Sequence, residues 1–187
     1  MIMNKSVLLT GILVFFTIVL AATKTDLQEA NLFGKVKSIQ TNRENTVYNQ
    51  QGYLESITYY SGGVEAYQYD SNNRLLTIVY TNSDNKETSR STKTYDTAGL
   101  MIKEVRKDWV EEIDNLEYNA KQQLVRIKTY YADGRLKGVS EYAYDTAGNK
   151  ISEEEYNNEM ELNYKTLYTY DKHNKLVEEQ RFIVRDT

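Results

Sequence analysis

The residues of this 187-residue chain that could do chemistry are acidic clusters, a recurring aspartate and one histidine. Glu111-Glu112, Glu153-Glu154-Glu155 and Glu178-Glu179 set carboxylates side by side, and paired carboxylates run glycoside hydrolysis. On strands, however, neighbouring residues point to opposite faces, so each cluster is split and reads as a solvated strand face. Asp70, Asp96, Asp145 and Asp171 each follow a tyrosine. A calcium loop needs several oxygen ligands in one short segment. Each turn here offers one acid, and Asn49 and Asn119 take its place twice, so these residues read as turn caps. His173, the only histidine, sits in Tyr170-Asp171-Lys172-His173-Asn174 and reads as an exposed turn residue. The absence of cysteine removes thiol chemistry, Cys-ligated zinc and a lipidated Cys anchor. There is no G-x-S-x-G elbow and no phosphate-binding glycine loop. No catalytic residue, metal ligand or cofactor is therefore assigned. Trp109, Tyr130 and Tyr131 are the candidate ligand contacts. Trp109, the only tryptophan, is either an exposed anchor for a sugar ring or a partner protein, or a core packing residue.

The elements that hold these residues follow from a repeat. Tyrosine followed by Asp or Asn recurs at Tyr48, Tyr69, Tyr95, Tyr118, Tyr144 and Tyr170, in steps of 21 to 26 residues. A fixed period of this size marks a repeat architecture. Tyr95 to Gly99 and Tyr144 to Gly148 are identical. Asp or Asn caps the turn through a backbone N–H two residues on, and glycine supplies a positive φ. Gly52, Asn73, Gly99, Gln122, Gly148 and Asn174 share that position, and Gln122 is expected to make a different turn. Gly62-Gly63, Asp133-Gly134, Asn82 to Asn85 and Asn157-Asn158 mark second turns between them.

Each unit is then two strands and two turns. The expected fold is all-β: an open twisted or spiral antiparallel meander of about a dozen strands, built from six hairpin repeats. Tyr67 with Tyr69, Tyr142 with Tyr144 and Tyr168 with Tyr170 should each share a face and form rows across strands, rings packed and hydroxyls wet. Val125 and Ile127 should oppose Arg126 and Lys128, giving one packed and one wet face.

Residues 1–21 read as a signal peptide: Lys5 precedes an apolar run from Val7 to Leu20, and cleavage is expected after Ala21. The alternative is an uncleaved anchor, the only membrane contact expected; the run is shorter than the roughly 20 residues that span comfortably. Residues 22–31 form an N-terminal arm, either a short helix or extended. The repeat domain is 32–187, with Leu32 to Ile39 as its first strand. Net charge is −4, without a basic block, so nothing favours nucleic acid as a partner.

The copies YDTAGLMI at 95–102, YDTAGNKI at 144–151 and YDSNNRLL at 69–76 resemble the YD-repeat, or RHS-like, family over about Tyr48 to Phe182. That resemblance implies a winding β-sheet in an exported or surface-associated bacterial protein. Long members form hollow shells around a toxin domain, and six repeats are too few to enclose anything. YYADGRLKG at 130–138 also resembles a MORN-type hairpin repeat, which implies β-hairpin strips with binding roles.

The expected function is a non-enzymatic binding module that is periplasmic, surface-associated or extracellular, with a protein or glycan partner. The alternatives are an immunity-type partner of a basic toxin and a secreted polysaccharide hydrolase. The residues that break the repeat are where function is sought: Trp109, the longer insertion from Asn82 to Thr92, and the exposed Glu rows.

Overall fold

A computed structural model describes residues 24–30, 32 and 36–184. The signal-peptide reading concerns residues outside these. A one-turn helix, α1 (Asp26–Glu29), opens the described chain, with Thr25 and Gln28 closing a capping box at its start. Thirteen strands follow: β1 (Ser38–Gln40), β2 (Glu44–Tyr48), β3 (Leu54–Tyr59), β4 (Val64–Tyr69), β5 (Leu75–Thr81), β6 (Glu87–Tyr95), β7 (Met101–Lys107), β8 (Glu111–Tyr118), β9 (Leu124–Tyr131), β10 (Leu136–Tyr144), β11 (Lys150–Asn157), β12 (Leu162–Tyr170) and β13 (Leu176–Ile183). They form one open antiparallel sheet in sequence order, the meander that the turn spacing implies. Among the described residues the first strand starts at Ser38, later than the alternation from Leu32 suggests. Leu32 instead donates its N–H to the Leu27 carbonyl and closes the end of α1.

One turn geometry joins ten of the hairpins. The residues at positive φ are Gly52, Gly62, Asn73, Asn85, Gly99, Gln122, Gly134, Gly148, Met160 and Asn174. Each donates its N–H to the carbonyl three residues earlier, as Gly99 does to Asp96 at 3.1 Å. Where that earlier residue is Asp or Asn, its Oδ1 accepts the N–H four residues on, as Asp96 from Leu100 and Asp145 from Asn149, and in the other such turns also the N–H two residues on: Asp70 from Asn72 and Arg74, Asn157 from Glu159 and Glu161. Gln122 makes the same turn, contrary to expectation, with φ at 61°. The Asn119 cap and the hydrogen bond from the Gln122 N–H to the Asn119 carbonyl offset the cost of left-handed backbone in a non-glycine residue. Nor does Asn82 to Thr92 break the repeat: Asn82 caps the same turn, Asn85 lies at φ 58°, and β6 pairs on both sides.

At every Tyr-Asx tyrosine the ladder shifts register by one residue. Such irregularities re-aim a side chain. The Tyr95, Tyr118, Tyr144 and Tyr170 hydroxyls donate to the backbone carbonyls of Leu75, Met101, Leu124 and Lys150, at 2.7, 2.8, 2.8 and 2.9 Å. Each acceptor stands five residues after the Asx of the preceding repeat. The hydroxyls are thus not wet, because a half-buried O–H finds a partner in the adjacent strand. Nor do the Tyr-Asx rings stack on one another. Successive copies stand two strands apart, about 9.6 Å, which is beyond ring contact. The ring pairs found are Tyr53–Tyr69 and Tyr59–Tyr80, with centroids 5.3 and 6.4 Å apart.

The expectation of one packed and one wet face fails. Along β9 every residue is half-buried, and a single layer of sheet gives neither face a cover. The most buried apolar side chains are Leu27, Tyr48 and Val139, beside buried Thr46, Thr77, Asp114 and Thr166. At the N-terminal end α1 does the work of a preceding repeat. Asp26 Oδ2 accepts from the Leu54 N–H at 2.6 Å and the Tyr69 hydroxyl at 3.3 Å, and Leu27 packs over Gly52.

Replacing Tyr144 by Phe removes a tie between repeats and should cost about 0.5–1.5 kcal/mol of stability in urea denaturation. Tyr131→Phe, whose hydroxyl has no partner among the described residues, should cost less than half as much.

Candidate functional site

Trp109 occupies the tip of the β7–β8 hairpin and is 98% exposed. The core-packing alternative is therefore excluded. The Lys107–Glu111 pair closes the ladder beneath it, and Asp108 Oδ1 accepts the Val110 N–H at 3.2 Å. This short turn lacks the shared positive-φ geometry, as does the β1–β2 turn, where Thr41 caps Arg43 and Glu44. Val110 is exposed beside Trp109. Tyr60 on the β3–β4 turn and Met160 on the β11–β12 turn are also exposed. All four project from the end of the sheet opposite the Tyr-Asx turns. Each tip stands four strands from the next, about 19 Å.

Tyr130 and Tyr131 lie near the same end but do not join Trp109 in one site. They are adjacent on β9 and so face opposite ways. Tyr130 stands opposite Ile113 and Leu136 and walls a shallow groove of about 310 Å³. Val139 forms the groove floor, Leu136 and Met160 its sides, and Arg126, Lys128 and Glu141 its charged end. Tyr131 stands opposite Glu112 and carries the Arg135 guanidinium 5.3 Å over its ring.

The sheet also holds a charge network that sequence reasoning did not single out. Glu104 accepts from Ser91 Oγ at 2.6 Å and Lys93 Nζ at 2.5 Å. Arg106, next on the same face, reaches Glu104, Glu112 and Asp114, and Thr129 Oγ1 donates to Asp114 at 2.7 Å. Lys137 closes on Glu112. The signal was present: Glu104, Arg106, Glu112 and Asp114 alternate on strands that pair directly. Burial pushes the Glu104 carboxyl up, but the Lys93 and Ser91 hydrogen bonds and the Lys93 and Arg106 charges outweigh it and hold its pKa down. Lys137 and Arg106 hold Glu112 down, although burial opposes them. On the other face, Arg126 bridges Glu117 and Glu141, and Lys165 pairs with Glu154. Adjacent acids do part as expected: Glu153 stands opposite Tyr142 and Thr166, while Glu154 stands opposite Glu141 and Lys165. His173 is exposed in its turn, its N–H donated to Asp171 Oδ1. Among the described residues, no three His, Cys, Asp or Glu side chains gather as a metal site would require.

No protein-family model matches the chain, and no curated protein matches it. Among solved structures, the chain is similar to part of the crystal structure of TcdB2-TccC3-Cdc42, at 20% identity and a TM-score of 0.50 over 75% of this chain. The Tc holotoxin pore of Photorhabdus luminescens gives 20% identity and a TM-score of 0.49 over 74%. The chain spans 9% of the length of each of those chains. A porin-like protein from Bacteroides uniformis gives 10% identity and a TM-score of 0.40, covering 78% of this chain and 73% of that one. The likeness to TcdB2-TccC3 shows a shared repeat-built β-fold.

The ion pairs of Glu104 set a pH dependence. Its folded pKa lies below the ordinary 4.5, so its contribution is complete above that value and is lost as pH falls through the lower folded pKa. The urea midpoint of the wild type should fall on acidification below the carboxylate range, and Glu104→Gln should flatten that fall. Equal slopes for the two proteins would contradict the assignment.

Proposed function

We propose that the chain is a YD-repeat-type binding module, exported and non-enzymatic, that holds a protein or carbohydrate ligand at the cell envelope. The observation that carries this reading is Trp109: a large aromatic at the tip of a hairpin, 98% exposed, on a turn that departs from the shared geometry. Indole is a frequent anchor of binding surfaces because it brings much contact area with little rotamer entropy. Tyr60, Val110 and Met160 extend the same rim, and the sheet beneath holds them on paired strands. The fold shared with TcdB2-TccC3 and the repeated Tyr-Asx motif support the YD-type assignment. The apolar leader at 7–20 supports export.

Eight carboxylates are poor candidates for the acid of a glycosidase. Asp70, Glu87, Glu104, Glu112, Glu117, Asp133, Asp145 and Glu154 are all held below the usual range, by cations or by backbone and side-chain hydrogen bonds. A glycosidase acid needs a carboxyl pushed the other way.

Because Trp109 is the only tryptophan, its fluorescence reports directly on this site. Titration with envelope glycans and with isolated envelope proteins should shift its emission to the blue for the true ligand. Trp109→Ala should weaken that binding at least about tenfold with an unchanged melting temperature. Unaltered affinity in Trp109→Ala would remove Trp109 as the anchor.

A further inference from the structure

The two edges of the sheet differ. β1 is three residues long and mostly polar, which are ordinary defences of an exposed edge. β13 has eight residues, all exposed, and carries the exposed apolar side chains Leu176, Val177, Phe182 and Ile183, with Val184 just beyond. Leu176 also holds the next place in the series of carbonyls that accept tyrosine hydroxyls, and no tyrosine hydroxyl among the described residues donates to it. An uncovered edge of this length and composition is a template for pairing with another strand.

We propose that the β13 edge pairs with β13 of a second copy of this chain, antiparallel about a two-fold axis at Gln180. The backbone selects the pairing atoms. Val184 donates its N–H inward to the Asn163 carbonyl at 2.9 Å. By strand alternation, residues 179, 181 and 183 then turn their N–H and C=O groups outward, while Val177 lies at the register shift.

Centred on Gln180, the two edges place Glu179 opposite Arg181, and Arg181 opposite Glu179. Each exchanges backbone hydrogen bonds with its opposite residue. Val177 then lies opposite Ile183, and Glu178 opposite Phe182. Among the described residues neither Glu179 nor Arg181 has an ion-pair partner; Arg181 lies over the Tyr164 ring at 5.1 Å. Slipping the register to centre on Glu179 or on Arg181 sets like charges against each other at the axis, which is destabilising. Of these three registers only the one centred on Gln180 sets opposite charges against each other, and the symmetry is that of an isologous dimer. The paired sheets become one continuous sheet with β1 at each end.

The test is sedimentation of the purified protein across a dilution series, together with cysteine trapping in this cysteine-free chain. In the proposed register the two Gln180 Cα atoms face each other at about 4.5 Å, within the span a disulfide bridges. The two Glu178 residues stand four positions apart along the strand, about 13 Å. Gln180→Cys should form a covalent dimer on oxidation, and Glu178→Cys should not. Arg181→Glu should raise the dimer dissociation constant at least about tenfold, and Glu179→Arg with Arg181→Glu should restore it. A wild type that stays monomeric overturns the proposal, including one whose edge accepts a strand of a different protein. Trapping through Glu178→Cys, or a dimer indifferent to Arg181→Glu, overturns it as well. Loss of ligand binding at Trp109 would leave all of these outcomes unchanged.

Discussion

A hydroxyl bonded to the backbone of the preceding repeat is the interaction on which this sheet depends. A single layer of strands has nothing to pack against, so it cannot be held the way a sandwich is, by burying one face on another. Stability must come from within the plane and along the stacking direction. Ladder hydrogen bonds join each strand to the next. The Tyr95, Tyr118, Tyr144 and Tyr170 hydroxyls add a tie at the point where each hairpin ladder shifts register, where a carbonyl would otherwise be left without a strand partner. A cation reinforces one tie from above: Arg74 lies 4.7 Å from the Tyr95 ring. Both faces then carry ion pairs, because both are half in water.

At the N-terminal end of the described sheet α1 takes part in the same scheme. By the pattern of the later repeats Tyr69 would reach the Leu54 carbonyl, but its hydroxyl donates to Asp26 instead. Asp26 takes the Tyr69 hydroxyl and the Leu54 N–H together, and Leu27 covers the Tyr48 end of the sheet. Burial first, and the Asp26 charge second, push the Tyr48 and Tyr69 hydroxyls above their ordinary pKa.

The period, the meander and the Asx caps were legible because each rests on local chemistry: a turn needs a left-handed residue and a short polar side chain wherever it occurs. Gln122 misled because residue type was weighed alone, whereas the cap at Asn119 and the i to i+3 hydrogen bond hold the backbone whichever residue takes the left-handed position. The stretch from Asn82 to Thr92 misled for the opposite reason; its length suggested an insertion, but it is an ordinary capped turn running into a nine-residue strand. The absence of a packed face could have been read from β7, where Lys103, Glu104, Arg106 and Lys107 put charges on both parities. The destination of each tyrosine hydroxyl could not. It depends on a register shift that moves the side chain toward a neighbouring strand, and periodicity carries no trace of that.

What the repeat absorbs also marks what it leaves free. The Tyr-Asx end of the sheet is committed to folding: its tyrosines bond backbone, its Asx residues cap turns, and its left-handed positions allow few substitutions. The opposite end obeys the same turn rule at Gly62, Asn85, Gly134 and Met160, but no tyrosine there must reach a neighbour, so its side chains are less constrained. The β7–β8 turn is free even of the turn rule. Trp109 contributes almost nothing to burial there. The fold therefore keeps the ties between repeats at one end of the sheet and leaves the exposed side chains of the Trp109 end outside them.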